Sequence, residues 1–143
     1  MRPVHILLVE DNEGDIVLTL EAFNDVKLRN KVSVTKDGEE AIKFLNKQGK
    51  YKDAEMPDMV LLDINLPKID GKEVLTYIKT NDQFKTLPVV MLTTSSSEKD
   101  IQESYAGYAN CYITKPVDFT KFIEVVKSIE NFWISIVELP PKN

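Results

Sequence analysis

The sequence predicts an α/β fold in which helices cover both faces of a parallel sheet. Residues 4–9, 59–62 and 89–92 are short apolar runs bounded by turn-forming or charged residues. Runs of this length favour strands that are buried on both faces. Between them lie segments whose apolar residues recur at helical spacing. Strands that alternate with helices predict a doubly wound α/β protein.

Two weaker strands complete the predicted set. Residues 31–36 alternate between apolar and polar side chains, which is typical of a strand near the edge of a sheet, and residues 111–114 form a short strand. The five predicted helices cover residues 13–23, 39–47, 72–80, the stretch from Ser96 or Ser97 to about Tyr105, and the stretch from near Asp118 past Trp133. The fourth has few large apolar residues, so we expect it to pack loosely.

Local signals place the ends of these helices. Asp11 or Asn12 can cap the first helix, and Ser96 or Ser97 can cap the fourth. Gly49 favours the end of the second helix. Right-handed crossovers and one change of winding direction then give the flavodoxin-like strand order 2-1-3-4-5.

This order predicts a cluster of acids. Glu10 and Asp11 follow the first strand, and Asp63 follows the third, which is its neighbour in the sheet. Open parallel sheets bind ligands at the carboxyl ends of the strands where the winding direction changes. We therefore expect these three carboxylates to meet in one crevice.

Carboxylates that meet in a crevice need a counter-ion, because otherwise one of them stays protonated. Mg²⁺ prefers oxygen ligands and combines one or two carboxylates with a substrate phosphate. We expect Asp11 and Asp63 to bind Mg²⁺ directly, with the main-chain carbonyl of Asn65 as a third protein ligand. Glu10 is expected in the outer sphere.

The fourth and fifth strands bring a hydroxyl group and a cation to the same edge. Thr93 ends the fourth strand and Lys115 follows the fifth. Together with a metal and a nucleophilic carboxylate, they describe a phosphoryl-transfer centre that stabilises charge around a moving phosphoryl group.

The chain resembles, over essentially its whole length, the receiver domain of two-component response regulators. The matching motifs are Glu10-Asp11, Asp63 in LLDINLPKIDG, Thr93 in PVVMLTT, and Lys115 in YITKP. The resemblance implies that Asp63 accepts a phosphoryl group from a histidine kinase in the presence of Mg²⁺. It also implies that Thr93 hydrogen-bonds this group, that Lys115 pairs with it, and that Tyr112 moves inward with Thr93 as a switch.

Further stretches are similar to the stand-alone regulators of cyanobacterial-type phytochromes. They are SYAGYANCYITKPVD, SIENFWISIVELPP and the polar loop before the third strand. This similarity implies that the partner is a phytochrome-type histidine kinase. The resemblance to receiver domains in general also implies a cis peptide bond before Pro116.

The last helix is apolar over more of its circumference than packing on a sheet requires. Its expected core face contains Phe119, Phe122, Ile123, Val126, Ile129, Trp133 and Val137. Val125, Phe132 and Ile136 widen the apolar arc to roughly half a turn. We expect these three residues to form a homodimer contact, although a long helix partly covered by the tail would show the same pattern.

Composition restricts the classes of function. The 143 residues suit one receiver domain without an output domain, and the net charge of −5 argues against nucleic-acid binding. No apolar run is long enough to span a membrane, and the single cysteine fits a reducing cytoplasm.

Two other functions compete with a signalling switch that has only weak autophosphorylation and autodephosphorylation activity. An aspartate-nucleophile phosphatase of a related α/β fold would need an acid two residues after Asp63, where this chain has Asn65. A flavin carrier would need a Ser/Thr/Gly-rich phosphate loop after the first strand, where this chain has acids.

Overall fold

The computed structural model describes residues 4–23, 30–116, 118–129, 131–132 and 138–141. Within these ranges five strands alternate with five α-helices, as predicted. A short 3-10 turn lies in the loop before the third strand. The elements in chain order are β1 (His5–Val9), α1 (Glu13–Phe23), β2 (Lys31–Thr35), α2 (Gly38–Leu45), the 3-10 turn (Gly49–Tyr51), β3 (Met59–Leu62), α3 (Gly71–Thr80), β4 (Val89–Thr93), α4 (Glu98–Ala106), β5 (Cys111–Thr114) and α5 (Phe119–Ile129).

The strands form one parallel sheet in the order β2-β1-β3-β4-β5, which confirms the predicted fold class. The register places Val9 beside Leu62 and Thr93 beside Thr114. The residues that follow these pairs are therefore level with one another at the carboxyl edge of the sheet.

Two apolar layers hold the sheet, one on each face. The layer under α2 and α3 contains Leu7, Val9, Val60, Leu62, Ala41, Phe44, Leu45, Val74, Leu75, Ile78 and Phe84. The layer under α1 and α5 contains Ile6, Leu8, Met59, Leu61, Ile16, Phe23, Phe122, Val126 and Ile129. Alternate residues of each central strand enter opposite layers, which explains why these strands are apolar without interruption.

Helix α4 buries fewer side chains than the other helices, as its composition predicts. Ser104 is its one buried residue. Its attachment to α3 is polar instead: Lys72 pairs with Asp100 and, at 3.0 Å, with Glu103. An element that buries so little apolar surface is stabilised less than its neighbours.

Side-chain caps fix where most helices begin. Asn12 Oδ1 accepts the backbone N–H of Asp15 at 2.9 Å, so Asn12 caps α1. Ser97 caps α4 through the N–H of Asp100 at 3.1 Å. Asp118 Oδ1 likewise accepts the N–H of Lys121 at 3.1 Å at the start of α5.

Helix α2 ends earlier than predicted, and the predicted end of α5 lies outside the described residues. Helix α2 ends at Leu45 with Asn46 as its C-cap, because Lys47 already has a left-handed φ of 55°. Helix α5 is α-helical to Ile129, and residues 131–132 have π-helical backbone. The predicted continuation past Trp133 and the position of Ile136 lie outside the described residues. None of the described helices is long and apolar enough to cross a membrane.

Candidate metal and phosphoacceptor site

Three carboxylates lie together at the carboxyl edge of β1 and β3. Oxygen atoms of Glu10, Asp11 and Asp63 lie within 4.8 Å of one another. Glu10 and Asp63 are buried, whereas Asp11 is exposed. The structure thus brings together the acids that the strand order predicts. A set of only carboxylate oxygens suits a hard divalent cation such as Mg²⁺.

The backbone hydrogen bonding of the sheet continues one residue past the strands. It fixes the backbone positions from which the side chains of the site project. The N–H of Glu10 donates to the carbonyl of Thr35, and the N–H of Asp63 donates to that of Val9, both at 3.1 Å. The N–H of Lys115 donates to the carbonyl of Thr93 at 2.7 Å. The site is therefore built on the rigid edge of the sheet.

The two oxygens of Asp63 have different surroundings. Oδ1 accepts the backbone N–H of Ile64 at 2.7 Å, and Oδ2 faces Lys115 Nζ at 3.4 Å. The Ile64 carbonyl in turn accepts the N–H of Gly71 at 2.8 Å, so the loop folds back to the start of α3. The carboxylate is held in place while one oxygen faces the cation.

Lys115 is the cation of the site, and its side chain is only 2% exposed. Its Nζ pairs with Glu10 Oε2, lies 2.9 Å from Asp15 Oδ2, and lies 3.4 Å from Asp63 Oδ2. Burial lowers the pKa of this ammonium, but the hydrogen bond to Glu10 and the charges around it raise the pKa above its ordinary value. Lys115 is therefore positively charged, and its ammonium group pairs with three carboxylates.

Burial has the larger effect on Glu10. Loss of solvation raises the pKa of its carboxyl to about 7, although the hydrogen bond and charge of Lys115 lower it. The negative charge of Asp63 adds to the increase. Glu10 thus changes its charge near neutral pH in the absence of a metal.

The predicted switch residues Thr93 and Tyr112 both hydrogen-bond to the backbone of Ser95, to which the sequence motifs assign no role. Thr93 is fully buried, and its Oγ1 accepts the N–H of Ser95 at 3.4 Å. The half-buried Tyr112 donates its hydroxyl to the carbonyl of Ser95 at 2.7 Å. Ser95 Oγ also donates to Asp100, the residue that pairs with Lys72. The loop between β4 and α4 is therefore tied to β5 and α3 through Ser95.

Two further expectations concern Asn65 and the peptide bond before Pro116. Asn65 lies in the loop after β3 with an exposed side chain. The expectation of a cis bond before Pro116 is wrong, because none of the described peptide bonds is cis. The trans isomer is the one that X–Pro bonds generally favour.

Residues 6–127 match the family described as the response regulator receiver domain. The chain belongs to this family. The resemblance drawn from its motifs is thereby confirmed.

Receivers of phytochrome pathways are among the similar proteins. The response regulator Rcp1 of Synechocystis sp. strain PCC 6803 is 43% identical over 138 residues, which cover 96% of this chain and 94% of Rcp1. The phosphorylated cyanobacterial phytochrome response regulator RcpA is 45% identical, with a TM-score of 0.95 over 98% of this chain and all of RcpA. The Mn²⁺-bound form of Rcp1 is 42% identical, with a TM-score of 0.94 over 97% of this chain and all of that structure.

Proposed function

We propose that this receiver accepts a phosphoryl group on Asp63 from a sensor histidine kinase and changes its protein contacts as a result. The observation that carries this proposal is the Asp63 carboxylate itself. It is buried, held through Oδ1, and directed through Oδ2 toward the ammonium of Lys115. A preorganised nucleophile beside a fixed cation suits transfer of an anionic group.

The divalent cation of this site is proposed to be Mg²⁺. Asp11, Asp63 and the main-chain carbonyl of Asn65 would hold it, and Glu10 would act from the outer sphere. When bound, Mg²⁺ neutralises charge on the carboxylates and on the incoming phosphoryl oxygens. The cluster of three acids supports this proposal, and so does the Mn²⁺-bound form in which the similar regulator Rcp1 has been crystallised.

The remaining residues have distinct proposed roles. Lys115 stabilises the transferred phosphoryl group, and Thr93 turns its hydroxyl toward it. The movement of Thr93 would disturb Ser95, to which Tyr112 also donates. The loop before α4 is then the two-state element that converts phosphorylation into a changed surface.

The chain acts here as a phosphoacceptor and not as a phosphatase. The residue two positions after Asp63 is Asn65, whose amide cannot supply the proton that a phosphatase leaving group needs. Its enzymatic activity would be limited to helping its own phosphorylation and hydrolysis.

A phytochrome-type histidine kinase in the cytoplasm is the proposed partner, because two similar structures are those of phytochrome and bacteriophytochrome response regulators. The test is transfer from a radiolabelled, autophosphorylated phytochrome kinase to the wild-type chain and to Asp63→Asn. We expect label in the wild type only. Rapid transfer from a non-photosensory kinase, with none from the phytochrome, would contradict the assignment of the partner.

We also propose that the chain forms a homodimer through α5. A groove of 790 Å³ lies between β5 and α5 and is lined by Cys111, Ile113, Val125 and Phe132, among others. Phe132 is 52% exposed, and Val125 is only partly buried against the core. Two copies that share this face would cover these apolar side chains.

A further inference from the structure

Lys115 has a third carboxylate partner that belongs neither to the metal cluster nor to the acceptor. Asp15 Oδ2 lies 2.9 Å from Lys115 Nζ, closer than Asp63 Oδ2 at 3.4 Å. The side chain of Asp15 is 25% exposed, whereas that of Lys115 is 2% exposed. The pair therefore lies at the margin of the site, where it is partly screened from water.

The first turn of α1 holds Asp15 in this position. Its N–H donates to Asn12 Oδ1 at 2.9 Å, and its carbonyl accepts the hydroxyl of the buried Thr19 at 2.6 Å. The carboxylate therefore projects from a capped helix whose backbone is fixed at both neighbouring turns. It reaches Lys115 from α1, whereas Asp63 follows β3.

A lysine ammonium has three N–H donors and no acceptor. Glu10, Asp15 and Asp63 provide three anionic partners for these donors. A phosphoryl group on Asp63 would present further anionic oxygens to the same ammonium. These oxygens would then compete with Glu10 and Asp15 for Lys115.

We propose that Asp15 is a positioning residue that holds Lys115 away from Asp63 and so slows phosphorylation. This inference rests on the proposed function of Asp63. In the reaction with acetyl phosphate, an Asp63 oxygen forms a bond to phosphorus while the bond from phosphorus to the acetate oxygen breaks. Acetate leaves with that electron pair. Lys115 can stabilise the phosphoryl oxygens only as far as Asp15 releases it.

The test compares Asp15→Asn with Glu13→Gln. Both variants remove one negative charge from the first turn of α1, but Glu13 pairs with Lys36 instead of Lys115. At saturating Mg²⁺ we expect Asp15→Asn to react with acetyl phosphate roughly fivefold faster than the wild type, because one charge-assisted contact no longer competes. Glu13→Gln should stay near the wild-type rate. Asp15→Glu, which keeps the charge, should return toward it.

A second measurement follows Lys115 without metal or phosphodonor. The NMR signal of its ammonium group in isotope-labelled protein should move in Asp15→Asn and stay in place in Glu13→Gln. The inference is overturned if the signal does not move, or if Asp15→Asn reacts no faster than Glu13→Gln while the wild type is phosphorylated. If none of the proteins accepts a phosphoryl group, the proposed function of Asp63 fails instead.

Discussion

Glu10 shows how burial prepares a single residue for metal binding. Its side chain is 3% exposed and faces both Lys115 and Asp63. Ionising a carboxyl in such a place is costly unless cations compensate the charge. Lys115 compensates only in part, since the pKa of Glu10 remains near 7. A divalent cation in the crevice would favour the ionised form.

The affinity for Mg²⁺ should therefore depend on pH through Glu10. As the pH falls below about 7, Glu10 takes up a proton, the crevice loses one negative charge, and binding weakens. We expect the Kd for Mg²⁺, measured by calorimetry, to be about tenfold higher at pH 6 than at pH 8. Glu10→Gln should bind more weakly at pH 8 and lose most of this dependence. An unchanged pH slope in the variant would contradict the assignment to Glu10.

At the scale of strands and helices, close packing holds the loop that joins Asp63 to α3. At Gly71, the first residue of α3, an added Cβ would lie 2.0 Å from the carbonyl oxygen of Asp63 and 2.7 Å from Cα of Ile64. Both neighbours are backbone atoms and cannot move without moving the acceptor. The helix can begin there only because the residue has no side chain.

Gly71→Ala should therefore lower the free energy of unfolding by about 3 kcal/mol, as over-packing of a rigid site does. It should also slow phosphorylation, because the Asp63 backbone must shift. Gly14→Ala is the matched control. Its Cβ would meet only the Asn12 side chain, at 3.3 Å, and alanine favours the helix. Urea denaturation of both variants checks this, and equal stability of the two would contradict the packing argument.

The loop before α4 depends on polar contacts, so single hydroxyl groups should matter there. Tyr112→Phe removes the hydrogen bond to the Ser95 carbonyl and leaves the ring in place. We expect amide hydrogen exchange in residues 94–97 to become several-fold faster, since a loosely packed segment loses one of its ties. Tyr108→Phe, at a tyrosine that is 75% exposed, is the control. Unchanged exchange in Tyr112→Phe would show that this contact does not restrain the loop.

At the scale of the whole molecule, the sequence predicts the fold because its signals agree. Uninterrupted apolar runs identify the central strands, and the strand order then places Asp63 beside Glu10. Side-chain partners are harder to predict. Asp15 reaches Lys115 across 100 positions of chain, and Ser95 joins Thr93 to Tyr112 through its backbone. Such contacts depend on rotamers and loop paths, which residue spacing does not reveal. The roles predicted for the site residues stay predictions.

The homodimer proposal concerns the molecule as a whole. Phe132 lies just beyond α5 and is 52% exposed. Phe132→Glu places a charge on the proposed apolar interface and should convert a dimer to a monomer in light scattering at micromolar concentration. Val17→Glu changes another exposed apolar residue, on α1, and should leave the mass unchanged. A wild-type chain that is monomeric with and without phosphorylation would contradict the proposal.

The measurement that tests the central claim most directly is the intact mass after incubation with acetyl phosphate and Mg²⁺. The wild-type chain should gain one phosphoryl group, Asp63→Asn should gain none, and a chelator should abolish the gain. These results would identify Asp63 as the acceptor and a divalent cation as its requirement. A gain in Asp63→Asn equal to that of the wild type, or no gain in either protein, would contradict the account of this site.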